Sequence, residues 1–298
     1  MILGRISGII VAERDGSSRV DFWAGDLGIK QLPKLPQEIC GSSMVVHNGT
    51  IILCGGWGNT NKCLKLHQGT WKKHSRFNKK RALHSVVTTP TATFVFGGGF
   101  SNSKTYYEYL PKNSTKWLMG KTEIPGGFVA GCAIAVKFDQ EIWLIGGWTT
   151  EKRILCFNVE SHTFQVLPFQ LNVGRDGHRC ALIPNTTDKV MITGGYGNTG
   201  QLDSVEILDT VDGSVTMAMK MVSKRYHHGM GVVTINGKDS LVVFGGADER
   251  NNVDSVELYN TLTGKWEMTD FILNEAKSHF SFLTLKLKDI ISNVQLSK

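Results

Sequence analysis

Two sets of side chains recur at matching places in this sequence, and their chemistry suits the binding of another molecule. In the first set an arginine precedes a histidine by three residues, and the three copies are Arg81 and His84, Arg175 and His178, and Arg225 and His228. A guanidinium group is planar and can donate two parallel hydrogen bonds to one carboxylate. This set therefore predicts contact with an acidic ligand.

The second set consists of aromatic residues that come just after a repeated Gly-Gly pair, namely Trp57, Phe100, Trp148 and Tyr196. Ala247 interrupts the series, and Asn59 and Asn198 lie in two of the loops that follow. Aromatic residues and arginine contribute most of the binding energy at many protein interfaces. We expect the two sets to line one partner-binding site.

The Gly-Gly pair also marks the elements that must hold these side chains. Its first glycines are Gly55, Gly97, Gly146, Gly194 and Gly245. Successive copies are 42, 49, 48 and 51 residues apart. Each pair follows a short apolar run rich in β-branched residues, which indicates a buried strand rather than a helix. An alternating strand follows each pair, a turn and usually an aromatic residue come next, and another strand lies upstream. Four strands per unit are the composition of one propeller blade.

The two ends of the chain predict how the ring closes. Gly8–Ala12 is similar to the apolar run of the other units, although Glu13 and Arg14 replace the glycines, and Val20–Trp23 is similar to the next strand. This unit lacks a first strand, and residues 278–287 predict one. We expect it to complete the N-terminal blade, because closure removes unpaired sheet edges. Asp289–Ile291 is an alternative second C-terminal strand.

Five spaced copies of Gly-Gly, a strand of the Ser-Val-Glu type and a delayed Trp resemble the kelch-repeat family over nearly the whole chain. The resemblance implies an all-β, six-bladed propeller with four-stranded antiparallel blades, in one domain spanning residues 1–298. The expected blades are residues 1–38 with 274–298, 39–78, 79–122, 123–171, 172–222 and 223–273. A repeat near 50 residues is typical of such proteins.

The resemblance also implies a function. In kelch domains that act as substrate adaptors, arginines before the first strand and aromatic residues after Gly-Gly line the partner-binding mouth. We carry that role to Arg81, Arg175, Arg225 and the four aromatic residues, and add Asn59, Asn198 and His228. The alternative is structural, with the histidine bonded to a neighbouring blade and the arginine sealing the channel. Family members often recruit substrates to ubiquitin ligases or bind actin.

Enzymatic alternatives find less support in the residues. Some kelch-like propellers are copper radical oxidases, but we find no matching Tyr–Cys arrangement, and no nucleophile elbow or phosphate loop. We expect a non-enzymatic protein without a metal or another cofactor. The second hypothesis is a secreted propeller that binds or processes carbohydrate. A third is a protein whose outer blade faces make the contacts.

Composition leaves the compartment open. The chain has 298 residues, a formal net charge of +7 and six cysteines. We expect buried free thiols, although Cys54 and Cys63 lie at facing strand ends and could be neighbours. Three glycosylation sequons begin at Asn48, Asn113 and Asn185, in predicted turns. We expect a monomeric cytoplasmic propeller that binds no nucleic acid and has no membrane span. The alternative location is outside the cell, if a signal peptide has been removed.

Overall fold

The protein consists almost entirely of short antiparallel strands in this computed structural model. The structure describes residues 7–12, 18–23, 25, 28–37, 39–58, 61–99, 103–149, 151–249, 251–273 and 278–286. The strands, in chain order, are β1 Ser7–Ala12, β2 Val20–Trp23, β3 Ile29–Leu32, β4 Ser43–His47, β5 Thr50–Cys54, β6 Lys62–His67, β7 Thr70–Arg76, β8 Ser85–Thr88, β9 Ala92–Phe96, β10 Tyr107–Pro111, β11 Leu118–Met119, β12 Cys132–Val136, β13 Glu141–Ile145, β14 Arg153–Asn158, β15 Phe164–Gln170, β16 Arg179–Leu182, β17 Lys189–Thr193, β18 Tyr196–Gly197, β19 Gly200–Gln201, β20 Val205–Asp209, β21 Val215–Ala218, β22 Gly229–Ile235, β23 Lys238–Phe244, β24 Ser255–Asn260, β25 Lys265–Ile272 and β26 Ser281–Lys286.

All of these strands except β18 and β19 form six four-stranded sheets, which are the blades of a propeller, and β18 pairs with β19 in a separate hairpin. Blade 1 has the order β26-β1-β2-β3, blade 2 β4-β5-β6-β7, blade 3 β8-β9-β10-β11, blade 4 β12-β13-β14-β15, blade 5 β16-β17-β20-β21 and blade 6 β22-β23-β24-β25. The first strand of each blade contacts the first strands of both neighbouring blades, so these six strands surround the axis. The predicted six-bladed all-β fold is therefore confirmed.

The C-terminal strand closes the ring as predicted. β26 pairs antiparallel with β1, and Gly8 lies opposite Leu285. A chain without this pairing would expose a strand edge on blade 1, which promotes aggregation. The alternative strand Asp289–Ile291 lies outside the described residues.

The core lies between the blades because the second and third strands of each blade are buried on both sides. Val242, Phe244 and Val256 of blade 6, for example, pack with Ile9 and Val11 of blade 1. Strands buried on both faces read as continuous apolar runs, which explains the runs before each Gly-Gly pair. The outer strands alternate in burial, and the lysines of β7 are exposed at the sheet edge, where charge blocks unwanted pairing.

The connections between strands divide between two ends of the propeller. Because neighbouring strands run antiparallel, the loops after Gly-Gly and the linkers between blades lie at one end, which we call the linker face. The turns that join the first strand to the second and the third to the fourth lie at the other end, which we call the hairpin face.

Two disulfides cross-link the described part of the chain. One joins Cys54 to Cys63 within blade 2, and the other joins Cys132 to Cys180 on the first strands of blades 4 and 5. Cys40 and Cys156 are free. The expectation of six free thiols was therefore wrong for four of them, because the repeat brings both pairs of cysteines face to face.

Candidate functional site

The three predicted arginines lie inside the blades rather than at the surface. Arg81, Arg175 and Arg225 are each 0% exposed. In blade 6, Arg225 Nη2 donates to Glu257 Oε1 at 2.6 Å, and Nη1 donates to the carbonyl oxygen of Gly245 at 2.8 Å. The same pattern joins Arg175 to Glu206 at 2.8 Å.

Blade 3 repeats this arrangement, with Arg81 Nη2 at 2.7 Å from Glu108 Oε1. Burial lowers the pKa of Arg81, and the Glu108 carboxylate opposes that shift. Each pair ties the linker before a blade to the third strand of that blade. A guanidinium that is buried and paired with a carboxylate within its own blade has no surface to offer a partner, which corrects the assignment of these arginines to the binding mouth.

The three histidines of the motif are also buried, and they pack against the preceding blade. His228 Nε2 lies 2.9 Å from Thr193 Oγ1 across the interface between blades 5 and 6. Gly194 has φ of 56°, and a Cβ added there would lie 2.9 Å from Cε1 of His228. Glycine is therefore required at this position both for its left-handed backbone and for the space that the ring occupies. His228 is thus a packing residue rather than a partner-binding one.

The aromatic residues after Gly-Gly, in contrast, are exposed on the linker face. Trp57, Trp148 and Tyr196 are 46%, 69% and 45% exposed. The backbone N–H of each donates to a carbonyl oxygen in the linker of its own blade, and those acceptors are Cys40, Val129 and Asp176. The three side chains therefore occupy equivalent positions around the axis.

Blade 3 differs from the prediction by one residue. There Gly99 makes the equivalent hydrogen bond, to the carbonyl oxygen of Ala82. Gly99 rather than Phe100 therefore stands in register with Trp57, because this blade has three consecutive glycines. Phe100 and Asn59 lie outside the described residues. Asn198 is exposed in the turn of the β18–β19 hairpin.

The linker face surrounds a closed ring of backbone hydrogen bonds that the sequence did not reveal. The residue two positions before each first strand donates its N–H to the equivalent carbonyl of a neighbouring blade, at 2.7 to 3.2 Å. We call these six residues the axial ring: Gly41, Leu83, Ala130, Gly177, His227 and His279. All six have φ in the left-handed region, between 50° at His227 and 65° at Gly41. The sequence carries no common motif here, because only the backbone is shared.

Aromatic rings connect the axial ring to the exposed rim. The rings of His227 and His279 are 3.8 Å apart, and Tyr226 lies 5.1 Å from His227. Tyr226 in turn contacts Tyr196 at 5.7 Å. Burial, and then the positive charges of neighbouring groups, lower the pKa of His227 to about 2. The imidazole of His227 is therefore neutral at neutral pH.

One carboxyl group on the linker face is perturbed. Burial raises the pKa of Asp176 to about 6, and the charge of Glu151 adds to the shift. Asp176 directly precedes Gly177 of the axial ring, so it lies between the ring and Tyr196. Sequence reasoning missed this residue because its burial depends on the loop of blade 4.

Metal and membrane sites find no support within the described ranges. No group of three or more His, Cys, Asp or Glu side chains that could hold a metal ion occurs among these residues. No helix in that part of the chain is long and apolar enough to span a bilayer.

Comparison with known proteins agrees with the architecture. A family model described as the Kelch motif matches residues 227–269, which cover most of blade 6. The solved structure of YjhT superposes with a TM-score of 0.71, at 15% identity, over 84% of this chain and 88% of that one. The chain is a six-bladed β-propeller that carries a kelch motif in blade 6. The similarity to YjhT at this identity concerns the fold alone. None of the curated protein sequences matches the chain. The kelch propeller fold is consistent with a protein-interaction module.

Proposed function

We propose that this kelch propeller binds a peptide or loop of a protein partner on its linker face. The observation that carries the proposal is the set of three equivalent, exposed aromatic side chains, Trp57, Trp148 and Tyr196, around the axis. Exposed Trp and Tyr on a rigid frame are typical of binding hot spots, because they contribute large contact areas and lose little entropy.

The test compares two triple variants. Trp57→Ala/Trp148→Ala/Tyr196→Ala removes the aromatic set, and the matched control Phe138→Ala/Val211→Ala/Leu262→Ala removes three exposed apolar residues of the hairpin face. Affinity capture from native extract identifies proteins retained by the wild type, and binding is then measured with the purified partner. We expect the aromatic triple to weaken binding by at least about 2 kcal/mol, or roughly thirtyfold, and the control to bind normally. Equal loss in both variants, or in neither, would contradict the proposal. The same affinity capture would identify actin or a ubiquitin-ligase component as the partner.

A second candidate is a carbohydrate-binding or carbohydrate-processing propeller. The raised pKa of Asp176 beside Glu151 supports it, since glycoside hydrolysis uses two carboxyl groups of which one stays protonated near neutral pH. Screening the wild type and Asp176→Asn against a glycan array and chromogenic glycosides tests this function. Saturable glycan binding or turnover that Asp176→Asn abolishes would favour it over the protein-binding proposal.

The location is a separate part of the proposal. The disulfides Cys54–Cys63 and Cys132–Cys180 favour an oxidising compartment over the cytoplasm, where thiols stay reduced. The sequon residues Asn48, Asn113 and Asn185 support the same choice, because all three are exposed in hairpin-face turns. Glycans there would leave the linker face open. Titration of native protein under denaturing conditions should find two free thiols, and six would return the protein to a reducing compartment.

A further inference from the structure

A cavity of about 220 Å³ lies on the propeller axis at the linker face. Its wall includes the first residues of several first strands, among them Ser43, Ser85, Arg179 and Ser281, together with His227 and His279 of the axial ring. Sites for drug-sized ligands are larger, roughly 300 to 1,000 Å³. The axial cavity therefore suits a small functional group rather than a whole sugar chain.

Arg179 is the one residue with a formal charge among the described residues that line this cavity. Its Nη1 donates to the carbonyl oxygen of His178 at 3.1 Å, and its guanidinium carbon lies 5.3 Å from the centre of the Phe282 ring. Its Nε has no hydrogen-bond partner among the described residues. Burial alone lowers the pKa of Arg179 to about 10, with no carboxylate to oppose the shift. The side chain still carries its positive charge at neutral pH.

Two hydroxyl groups of the wall are already engaged as hydrogen-bond donors. Ser43 Oγ donates to the carbonyl oxygen of His84 at 3.0 Å, and Ser85 Oγ donates to that of Gly131 at 2.8 Å. Their hydroxyl protons are therefore already engaged. A partly buried cation without an anion is unfavourable, and an incoming anion removes that cost while forming charge-assisted hydrogen bonds.

We infer that the axial cavity is a carboxylate-binding site in which Arg179 binds the ligand. A planar carboxylate matches the fork of a guanidinium, and the cavity admits a group of this size. The inference deepens the proposed function and rests on it, because the protein partner would supply the carboxylate. An acidic side chain or the C-terminal carboxylate of the partner would enter the axial cavity while Trp57 and Trp148 contact the flanking residues. A free small carboxylic acid has the same chemistry and is separated from the peptide by the test.

The test uses glutarate as the probe and glutaramide as its uncharged counterpart, with binding followed by NMR titration. We expect saturable binding of glutarate to the wild type, no saturable binding of glutaramide, and at least a tenfold loss of glutarate binding in Arg179→Gln. Arg76→Gln, which removes an exposed arginine of β7, is the matched control and should bind like the wild type. Thermal melting confirms that each variant is folded, and Arg179→Met replaces Arg179→Gln if the latter is not.

Each result decides the inference. A wild type that does not bind glutarate, binds glutaramide equally well, or is matched by Arg179→Gln would overturn it. A second arm compares short peptides that end in Glu with their Gln and amide counterparts, and tighter binding of the acidic peptide than of glutarate assigns the source to a protein. Glutarate binding that depends on Arg179, together with partner capture that ignores the aromatic triple, would keep the cavity and reject the protein-binding face. The opposite pair of results would reject the cavity alone.

Discussion

Arg175 and Arg179 lie four residues apart in blade 5, yet their surroundings differ completely. Arg175 is enclosed within the blade and donates to Glu206 and to backbone carbonyls. Arg179 lines the axial cavity and donates to one carbonyl oxygen, and none of the described carboxylates pairs with it. An arginine that meets its carboxylate in the same blade is part of the architecture, whereas one that faces the axis leaves its charge for a ligand.

The blades themselves show what the buried pair does. Blades 2 and 4 lack it, and both of its members are replaced there by apolar residues. In blade 4, Phe128 occupies the position of the arginine. The carbonyl oxygen of Phe128 accepts a hydrogen bond from Gly98 N–H, and the carbonyl oxygen of Arg225 accepts the equivalent bond from Gly195 N–H. Leu155 stands at the glutamate position, opposite Leu144. Phe128 and Leu155 pack in the same core cluster.

Blade 2 has made the same exchange. Ile39 lies three residues before Ser42, where an arginine precedes its histidine in other blades, and Leu64 lies opposite Leu53. In the linker before each of these blades, one residue donates its N–H to a carbonyl oxygen of the preceding blade. The next residue is a proline, Pro36 before blade 2 and Pro125 before blade 4. In blade 5 that place belongs to Asn172, whose N–H donates to Glu206. Where the glutamate is missing, the first of the two backbone N–H groups that would bond to it is missing as well.

The largest effect we expect comes from leaving half of a pair. Glu206→Leu removes the carboxylate and leaves the Arg175 charge buried, so the free energy of unfolding should fall by about 3 to 5 kcal/mol. Urea denaturation at pH 7 measures this loss. A loss below about 1 kcal/mol would show that water reaches Arg175, and the contrast with Arg179 would then disappear.

Acidification should produce the next largest effect. Burial, and then the charge of Arg81, lower the pKa of His84 to about 3, and His178 is lowered to about 3 by burial and by Arg175. The unfolded chain binds these protons near pH 6.5, whereas the folded protein does not, so stability falls as pH drops from about 6.5 towards 3. Between pH 7 and pH 5 each histidine should account for about 2 kcal/mol.

The control for this pH dependence comes from blade 2, which has Ser42 in the place of the histidine. His84→Ser should therefore flatten the dependence of the unfolding free energy on pH by about 2 kcal/mol between pH 7 and pH 5. An unchanged slope would mean that His84 gains a proton in the folded protein.

Exchanging the arginine, the glutamate and the linker residue together should change the free energy of unfolding less. Asn172→Pro/Arg175→Phe/Glu206→Leu gives blade 5 the residues of blade 4. It removes both buried charges and the Asn172 N–H, and it leaves the part-buried Val173 N–H without its bond to Glu206. Apolar replacement of a buried ion pair is often neutral, so we expect a net change within about 2 kcal/mol of the wild type. A mutant cycle with the single and double variants measures the coupling free energy between these three positions. A triple variant as unstable as Glu206→Leu would show that blade 5 cannot repack.

Repetition explains what could be predicted from the sequence. Gly-Gly after an apolar run requires a strand and a turn each time it occurs, and five copies predicted the blades and the closing strand at residues 278–287. The burial of Arg225 had a visible signal too, because arginine and glutamate occur together in blades 3, 5 and 6 and are absent together from blades 2 and 4. That joint pattern indicates a pair within the blade, whereas each arginine considered alone suggested a surface.

The axial features had no comparable signal. The axial ring depends on backbone conformation at positions as different as Gly41, Leu83 and His227, so residue type does not mark it. The isolation of Arg179 is a property of all the blades around the axis, since a carboxylate from any of them could have paired with it. Sequence reasoning along one blade at a time cannot exclude such a partner.

The smallest effect on stability should come from Arg179, and it completes the contrast with Arg175. Arg179→Met removes a partly buried cation that has no carboxylate partner among the described residues, and it retains an apolar side chain of similar length. The free energy of unfolding should therefore change by less than about 1 kcal/mol or rise. Urea denaturation without added carboxylate provides the value. Added glutarate should stabilise the wild type but not Arg179→Met, because a ligand that binds the folded state alone raises its stability by mass action. A loss above about 2 kcal/mol in ligand-free buffer would instead show that Arg179 supports the fold as Arg175 does.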